Sequence, residues 1–231
     1  MQKKTFLITG GSGGIGAALA HELAKTSYTP LVAYKSNRAK AEAIAKAVDG
    51  EAIALNLTDL DAVDQVVANL ALSDAVLAGV VLGASAALNI TSFGHISEHD
   101  MENQWRVNVL GHQRLLAGLV RKVFRKRKQG IVVGILSEAM GTTEKANLTS
   151  MGAYITAKYG LQGLLAVLKA EYRWLDIITV SPNFTETRML EAFDERFLEP
   201  LRSSGQIKSP EVIGQEIADR IALFGDSQAG I

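Results

Sequence analysis

The sequence of 231 residues contains no cysteine and only four histidines. The absence of cysteine excludes disulfides, thiolate chemistry and cysteine-ligated metals. His95 and His99 are spaced to share one face of a helix, but no carboxylate spacing completes a site, so no metal is predicted. The formal net charge is zero, whereas nucleic-acid-binding proteins are strongly basic, so nucleic acid is not an expected partner.

Long apolar runs are also missing from this sequence. No run reaches the ~18 residues that a membrane helix requires. Residues 1–4 lead directly into a short apolar run, without the apolar core of a signal peptide. These features predict a cytoplasmic protein with no membrane contact, and the length suits one domain with a well-buried core.

Short apolar runs alternate with longer amphipathic segments along the whole chain. Runs of this length that are mostly apolar are typical of strands buried on both faces of a parallel sheet. Six repeats predict an α/β fold with a doubly wound parallel sheet in the order 3-2-1-4-5-6, formed by a single domain, 1–231. The predicted strands are 5–9, 30–34, 51–56, 76–83, 130–136 and 176–181, and the predicted helices are 15–26, 38–48, 59–72, 100–128 and 152–174.

Two segments interrupt the alternation, and both follow a predicted strand. Residues 141–150 are polar, and residues 183–208 form a long excursion. Substrate sites of such sheets lie at the carboxyl ends of the strands, so the excursion is a candidate substrate lid. Its apolar residues recur at intervals that also suit a helix packed on the core: Phe184, Met189, Leu190, Phe193, Phe197 and Leu198.

The stretch 9-TGGSGGIG-16 follows the first strand and opens the first helix. Glycines in that position allow a tight turn and a close approach of a pyrophosphate to the helix N-terminus, which predicts a dinucleotide site. Three glycine spacings are compatible with the stretch: 11/13/16, 10/14/16 and 10/13/16.

The end of the second strand, 33-AYKSNR-38, indicates which dinucleotide binds. A NAD site usually places an acid there for the ribose 2′-hydroxyl. This stretch has no acid but carries Lys35, Ser36 and Arg38, which suit a 2′-phosphate. NADP is therefore the preferred cofactor and NAD the alternative; a merely solvated helix start also remains open.

The stretch 154-YITAK-158 places a tyrosine and a lysine four residues apart, on one face of a helix. A neighbouring lysine favours the phenolate and is expected to lower the pKa of Tyr154. That arrangement suits proton transfer to or from a substrate oxygen.

The sequence resembles the classical branch of the short-chain dehydrogenase/reductase family over nearly its whole length. The matching stretches are 9-TGGSGGIG-16, 108-NVLG-111, 131-IVVGILS-137, 154-YITAK-158 and 182-PNFTET-187. The resemblance implies an NAD(P)-dependent oxidoreductase with the tetrad Asn108, Ser137, Tyr154 and Lys158. Tyr154 would be the general acid or base, Ser137 would bind the substrate oxygen, Lys158 the nicotinamide ribose, and Asn108 a water.

The resemblance also implies the cofactor contacts. Asn56 is a candidate partner for an adenine amine, and Thr187 for the nicotinamide amide. The classical branch uses the spacing of Gly10, Gly14 and Gly16. The full predicted set is Gly10, Ser12, Gly13, Gly14, Ile15, Gly16, Tyr34, Lys35, Ser36, Arg38, Asn56, Leu57, Gly83, Ala84, Ser85, Asn108, Tyr154, Lys158, Pro182, Asn183, Phe184, Thr185 and Thr187.

The chain departs from the family pattern at several places. The family's N-N-A-G is 82-LGAS-85 here, and its P-G is 182-PN-183. Ser137 lies farther from Tyr154 than usual, because of the insert 141–150, and Ser150 is a weaker candidate for its role. The end 225–231 leaves a minimal or absent seventh strand, which favours a homodimer through helices 100–128 and 152–174 over a tetramer.

The run 121-RKVFRKRK-128 carries six cations. Such a run is typical of a charged helix end or of a binding surface for an acidic partner. It resembles the carrier-protein binding surface of 3-oxoacyl-(acyl-carrier-protein) reductases. The resemblance thus favours NADP(H)-dependent reduction of a small carbonyl substrate, a 3-oxoacyl thioester in the first place. The alternatives are a sugar or small-alcohol dehydrogenase, and a non-catalytic dinucleotide sensor on the same fold.

Overall fold

A computed structural model describes residues 4–226. Its centre is a six-stranded parallel sheet in the order β3-β2-β1-β4-β5-β6. The predicted α/β class and strand order are confirmed; the tail 227–231, on which the expectation of a minimal or absent seventh strand depends, lies outside the described residues. The strands are Lys4–Thr9, Tyr28–Tyr34, Glu51–Ala54, Val76–Leu82, Gly130–Ile135 and Leu175–Val180.

Helices cover both faces of the sheet and bury one core on each. The first core packs the sheet against α3, α5 and α7, and the second packs it against α1, α2 and α9. The two cores explain why the strands are apolar on both sides. The helices are α1 Gly14–Ala24, α2 Arg38–Ala47, α3 Leu60–Leu72, α4 Glu98–Trp105, α5 His112–Leu119, α6 Arg125–Arg127, α7 Gly152–Glu171, α8 Glu195–Ser203 and α9 Pro210–Asp226.

The predicted helix 100–128 is one helical rod with two π-helical segments. Residues Arg106–Gly111 join α4 to α5, and Val120–Phe124 join α5 to α6. Segments of this kind are rare and frequently lie at functional sites. The rod ends at Lys128, whose φ of 48° is left-handed.

Helix α9 is an addition to the predicted elements. Its buried residues Ile213, Ile217 and Ile221 recur every fourth position, which is the sequence signal that identifies it. Pro210 stands at its first position, where the missing N–H costs nothing. Among residues 4–226, no helix is both long and apolar enough to cross a membrane.

Candidate active site

The glycine stretch turns sharply between β1 and α1. Gly10 has a φ of +69°, and a Cβ there would lie 2.9 Å from the backbone of Ala84. A Cβ on Gly16 would lie 2.4 Å from the Gly10 carbonyl oxygen. On Gly14 it would lie 2.6 Å from the Thr187 side chain and 3.5 Å from that of Pro210. Gly13 is exposed, and a Cβ there would lie 3.1 Å from the Gly10 carbonyl oxygen. The turn therefore requires glycine at positions 10 and 16 on backbone grounds, and at 14 to seat Thr187.

The first turn of α1 is open to an anion. Its N-cap residue, Gly13, provides no side-chain hydrogen bond to the free N–H groups of the turn. Such groups are satisfied by water, side chains or ligands, and together with the helix dipole they favour negative charge. This geometry suits a pyrophosphate.

Ser137, Tyr154 and Lys158 meet where β5 ends and α7 begins. The hydroxyl of Ser137 is hydrogen-bonded to that of Tyr154 and accepts from the Ala139 N–H at 3.2 Å. The Lys158 ammonium donates to the Ile135 carbonyl at 2.7 Å and lies 5.6 Å from the centre of the Tyr154 ring. All three side chains line one cleft, and Ser150 does not.

Burial controls the pKa values of the tyrosine and the lysine. Desolvation raises the pKa of Tyr154 above its ordinary value, and the hydrogen bond with Ser137 opposes this rise. Desolvation also lowers the pKa of Lys158 to about 8. The expected lowering of the Tyr154 pKa by Lys158 is therefore not met in this structure, because the ammonium is bonded to Ile135 and lies over the ring rather than beside the hydroxyl.

Asn108 is fully buried in the π-helical segment and does not line the cleft. Its Nδ2 donates to Gln104 at Oε1 (2.8 Å) and at the carbonyl oxygen (3.1 Å). Its carbonyl oxygen lies 3.1 Å from His112 Nδ1. Within residues 4–226, two buried side-chain oxygens have no hydrogen-bond partner, Asn108 Oδ1 and Ser85 Oγ.

The cleft has a cavity volume of about 120 Å³ and opens to solvent. Apart from Lys158 its lining residues are uncharged, and most are apolar. Several lining residues were not predicted from the sequence, because they become neighbours only in the fold: Leu88, Ile135, Leu136, Ala139, Leu148 and Met151. The predicted residues that line it are Ile15, Gly83, Ser85, Ser137, Tyr154, Lys158, Pro182, Asn183, Phe184, Thr185, Thr187, Met189, Leu190 and Phe193.

The excursion forms one wall of the cleft and is closed at its base. The N–H of Glu186 donates to the Lys208 carbonyl, and the N–H of Lys208 donates to the Phe184 carbonyl, both at 2.9 Å. Helix α8 lies within it, and Phe184, Phe193 and Phe197 form an aromatic cluster. Of the predicted apolar residues, Phe197 and Leu198 lie in α8 and do not line the cleft. The other four, Phe184, Met189, Leu190 and Phe193, line the cleft and lie outside α8.

The residues predicted for the adenosine end lie outside the cleft. Lys35 and Ser36 are exposed at the end of β2, whereas Arg38 donates to Glu42 at 2.7 Å, and this hydrogen bond raises the pKa of Arg38. Asn56 Oδ1 accepts from both the backbone N–H and the hydroxyl of Thr58, so the atom expected to bind an adenine amine is already bonded. The other predicted residues outside the cleft are Gly10, Ser12, Gly13, Gly14, Gly16, Tyr34, Leu57, Ala84 and Asn108.

Comparison with known proteins gives a consistent result. A family model described as short chain dehydrogenase matches residues 4–196. The chain is 26% identical over 240 residues to a 3-oxoacyl-(acyl-carrier-protein) reductase of Staphylococcus aureus, covering 98% of this chain and 92% of that protein. A reductase of the same name from Vibrio cholerae is 27% identical over 237 residues, covering 99% and 92%.

Solved structures show the same fold at low sequence identity. An alcohol dehydrogenase from Thermococcus sibiricus, complexed with 5-hydroxy-NADP, superposes with a TM-score of 0.79 at 18% identity, covering 95% of this chain and 90% of that one. A short chain dehydrogenase/reductase family protein superposes with a TM-score of 0.80 at 23% identity, covering 94% and 88%.

Proposed function

The chain belongs to the short-chain dehydrogenase family, and we propose that it reduces an apolar carbonyl substrate with NADPH, or oxidises the corresponding secondary alcohol. Enzymes of this family are NAD(P)-dependent oxidoreductases. The observation that supports the proposal is the cleft in which Ser137, Tyr154 and Lys158 meet beneath mostly apolar walls.

The described residues fit the cofactor. A Cβ at Gly10 or Gly16 would collide with nearby backbone atoms, so the turn keeps its tight form only with glycine there. The first turn of α1 has no capping side chain and suits the pyrophosphate. The buried, unpartnered Ser85 Oγ provides a polar atom at the cleft. When bound there, the nicotinamide supplies the hydride.

The side chains around the cleft would move the proton. Tyr154 would donate its hydroxyl proton to the carbonyl oxygen that gains the hydride, since its raised pKa keeps it protonated before reaction. Ser137 would donate a hydrogen bond to the same oxygen. Lys158 would act as the cation that stabilises the tyrosinate formed by the transfer.

Turnover and its dependence on Tyr154 test this function. We expect loss of NADPH absorbance with acetoacetyl-coenzyme A or 2-octanone, and a decrease in kcat of at least about 100-fold in Tyr154→Phe. Tyr159→Phe is the matched control, because its hydroxyl on the same helix bonds Met140. NADPH binding without turnover of any probe, unchanged by Tyr154→Phe, would instead favour a dinucleotide sensor.

The preference for NADP rests on the exposed cations after β2. Lys35 is exposed, and no acid stands between positions 33 and 38. We expect Lys35→Ala to weaken NADPH binding by about tenfold and to leave NADH binding unchanged. Lys40→Ala, which removes another exposed lysine in the first turn of α2, is the control. Equal binding of NADH and NADPH by both variants and the wild type contradicts the preference.

The apolar cleft favours a substrate with a hydrocarbon chain over a sugar. Its walls include Leu88, Leu148, Met151 and Phe193, whereas a sugar needs several polar partners. This supports a 3-oxoacyl thioester as the substrate. A kcat/KM for glucose above that for acetoacetyl-coenzyme A and 2-octanone contradicts the assignment.

The exposed cations at the end of the rod support docking of an acidic acyl carrier protein. The cations at 121, 122, 125, 126, 127 and 128 are exposed, and a basic patch steers an acidic partner. We expect Arg125→Glu to raise the KM for a carrier-protein thioester and leave that for a coenzyme A thioester unchanged. Arg173→Glu is the control, and equal changes for both thioesters contradict docking there.

A homodimer through α7 and the rod is the proposed assembly. Both elements expose large apolar side chains: the exposed fraction is 39% for Trp105, 45% for Leu110 and 56% for Val167. Burying them favours association. Val167→Glu should shift a dimer to monomer in analytical ultracentrifugation, and Leu72→Glu, at an exposed site on α3, should not. A wild-type protein that sediments as a monomer contradicts the assembly.

A further inference from the structure

A buried histidine connects Asn108 to the end of β1. His112 is fully buried, and it lies one turn after Asn108 at the start of α5. Its Nδ1 lies 3.1 Å from the Asn108 carbonyl oxygen, and its Nε2 lies 3.1 Å from the Thr9 hydroxyl oxygen. Both ring nitrogens therefore have partners that belong to different elements of the fold.

The partners fix the tautomer of the ring. A carbonyl oxygen only accepts, so Nδ1 must carry the hydrogen. Desolvation lowers the pKa of His112 to about 4, which keeps the ring neutral near pH 7. Nε2 then accepts, and the Thr9 hydroxyl shares its hydrogen between Nε2 and the Val81 carbonyl.

The chain of hydrogen bonds extends beyond the histidine at both ends. The Thr9 hydroxyl accepts from the N–H groups of Gly83 and Ala84, at 3.0 and 3.1 Å. On the other side, Asn108 Nδ2 donates to Gln104 Oε1, and Gln104 Nε2 donates to the Ala87 carbonyl at 2.8 Å. The chain thus begins and ends in the segment after β4, with Asn108 near its middle.

One polar atom of Asn108 is left out of this chain. Its Nδ2 is held by Gln104 and its carbonyl oxygen by His112, while Oδ1 is buried without a partner. The segment that carries Asn108 packs against α7, the helix of Tyr154 and Lys158. An unpaired buried acceptor is costly, so its retention points to a donor that is supplied on binding.

Resting on the proposed function, we infer that His112 and Gln104 are positioning residues for this reaction. They hold Asn108 at its carbonyl oxygen and its Nδ2, so that Oδ1 stays available to a hydrogen-bond donor of the reaction site. His112 passes no proton itself, because its Nδ1–H ends on a carbonyl oxygen.

Kinetics of His112 variants separate positioning from a general loss of structure. With NADPH and acetoacetyl-coenzyme A or 2-octanone, His112→Leu should lower kcat by about tenfold and leave the NADPH dissociation constant within about twofold. His112→Asn should restore kcat to within about threefold of the wild type, because its amide N–H can reach the Asn108 carbonyl as Nδ1 does. Gln113→Leu, at the adjacent exposed position, is the control.

Nuclear magnetic resonance tests the geometry without turnover. In wild-type protein with ¹⁵N-labelled histidine, we expect one ring as the neutral Nδ1–H tautomer near neutral pH, with its signals lost in His112→Asn. An Nε2–H tautomer, or a charged ring at that pH, overturns the inference even if no probe is reduced.

The kinetic outcomes are equally decisive. Wild-type kcat in a folded His112→Leu, or an asparagine variant no better than the leucine variant, overturns the inference while leaving the proposed function intact. Failure of the wild type to reduce any probe contradicts the proposed function, and the tautomer measurement then decides the geometry alone.

Discussion

Acidification should destabilise this protein through one buried imidazole, that of His112. Its pKa is lowered from 6.5 to about 4 in the folded state, first because burial disfavours the charged ring. Between these values the unfolded chain binds a proton that the folded protein does not, so stability falls as the pH falls. From about pH 7 to about pH 5 the free energy of unfolding should decrease by about 2 kcal/mol from this group.

Urea unfolding at constant protein concentration measures this loss. His112→Leu removes the titrating group, so its stability should decrease by about 2 kcal/mol less than that of the wild type over the same pH range. His21→Gln, which removes an exposed imidazole on α1, is the control for loss of a histidine in general. The pH range lies above the region in which carboxylates protonate, so Asp and Glu contribute little to the comparison.

Equal losses in the wild type and His112→Leu would refute the reasoning. That result would mean that the ring already binds a proton in the folded state, which burial of the ring and the neighbouring Lys158 charge oppose. The tautomer assigned above would then also be wrong.

Four further variants test other parts of the structure. Lys158→Met should raise the free energy of unfolding at neutral pH by about 2 kcal/mol, measured by urea unfolding, and its activity should disappear. The variant removes a buried charge whose folded pKa of about 8 lies below 10.5, and this gain exceeds the loss of one hydrogen bond. Gly16→Ala should cost about 1–3 kcal/mol, because the methyl group meets the Gly10 carbonyl oxygen. Gly163→Ala, in open space on α7, should instead add about 0.5–1 kcal/mol. Glu42→Gln should tighten NADPH binding about threefold, because it releases Arg38; NADH is the control ligand in fluorescence titration.

Each of these expectations can fail in a specific way. A destabilised Lys158→Met would mean that the bond to Ile135 outweighs the desolvation of the ammonium. A neutral Gly16→Ala would mean that the turn can move away from α1. Unchanged NADPH affinity in Glu42→Gln would place Arg38 outside the phosphate site.

Local pattern and composition account for the parts of the fold that could be predicted. Apolar runs such as 130–136 indicate strands buried on both faces, and the observed strand Gly130–Ile135 lies within the predicted bounds. Helix α9 could also have been predicted, because Ile213, Ile217 and Ile221 are spaced four residues apart. These strands and helices can be predicted because the burial of a residue follows from its position on its own strand or helix.

The remaining features depend on how deeply each side chain is buried and on which hydrogen-bond partner it takes. The pKa of Tyr154 lies above its ordinary value because burial outweighs the hydrogen bond with Ser137. Asn56 bonds Thr58, and Arg38 bonds Glu42, although their sequence positions suggest ligand contacts. Each of these polar side chains had two candidate partners, a ligand and a near neighbour in the chain, and only the structure shows that it bonds the neighbour.

The sequence alone determined the α/β class, the strand order and a dinucleotide turn that contains glycine at positions 10, 14 and 16. Only the tertiary structure decided that Gly10 and Gly16 are required by backbone contacts, that Ser137 rather than Ser150 meets Tyr154, and that His112 joins Asn108 to Thr9. The physical reason is separation along the chain. Thr9 and His112 lie 103 residues apart, so their hydrogen bond exists only after the sheet and the rod have packed together.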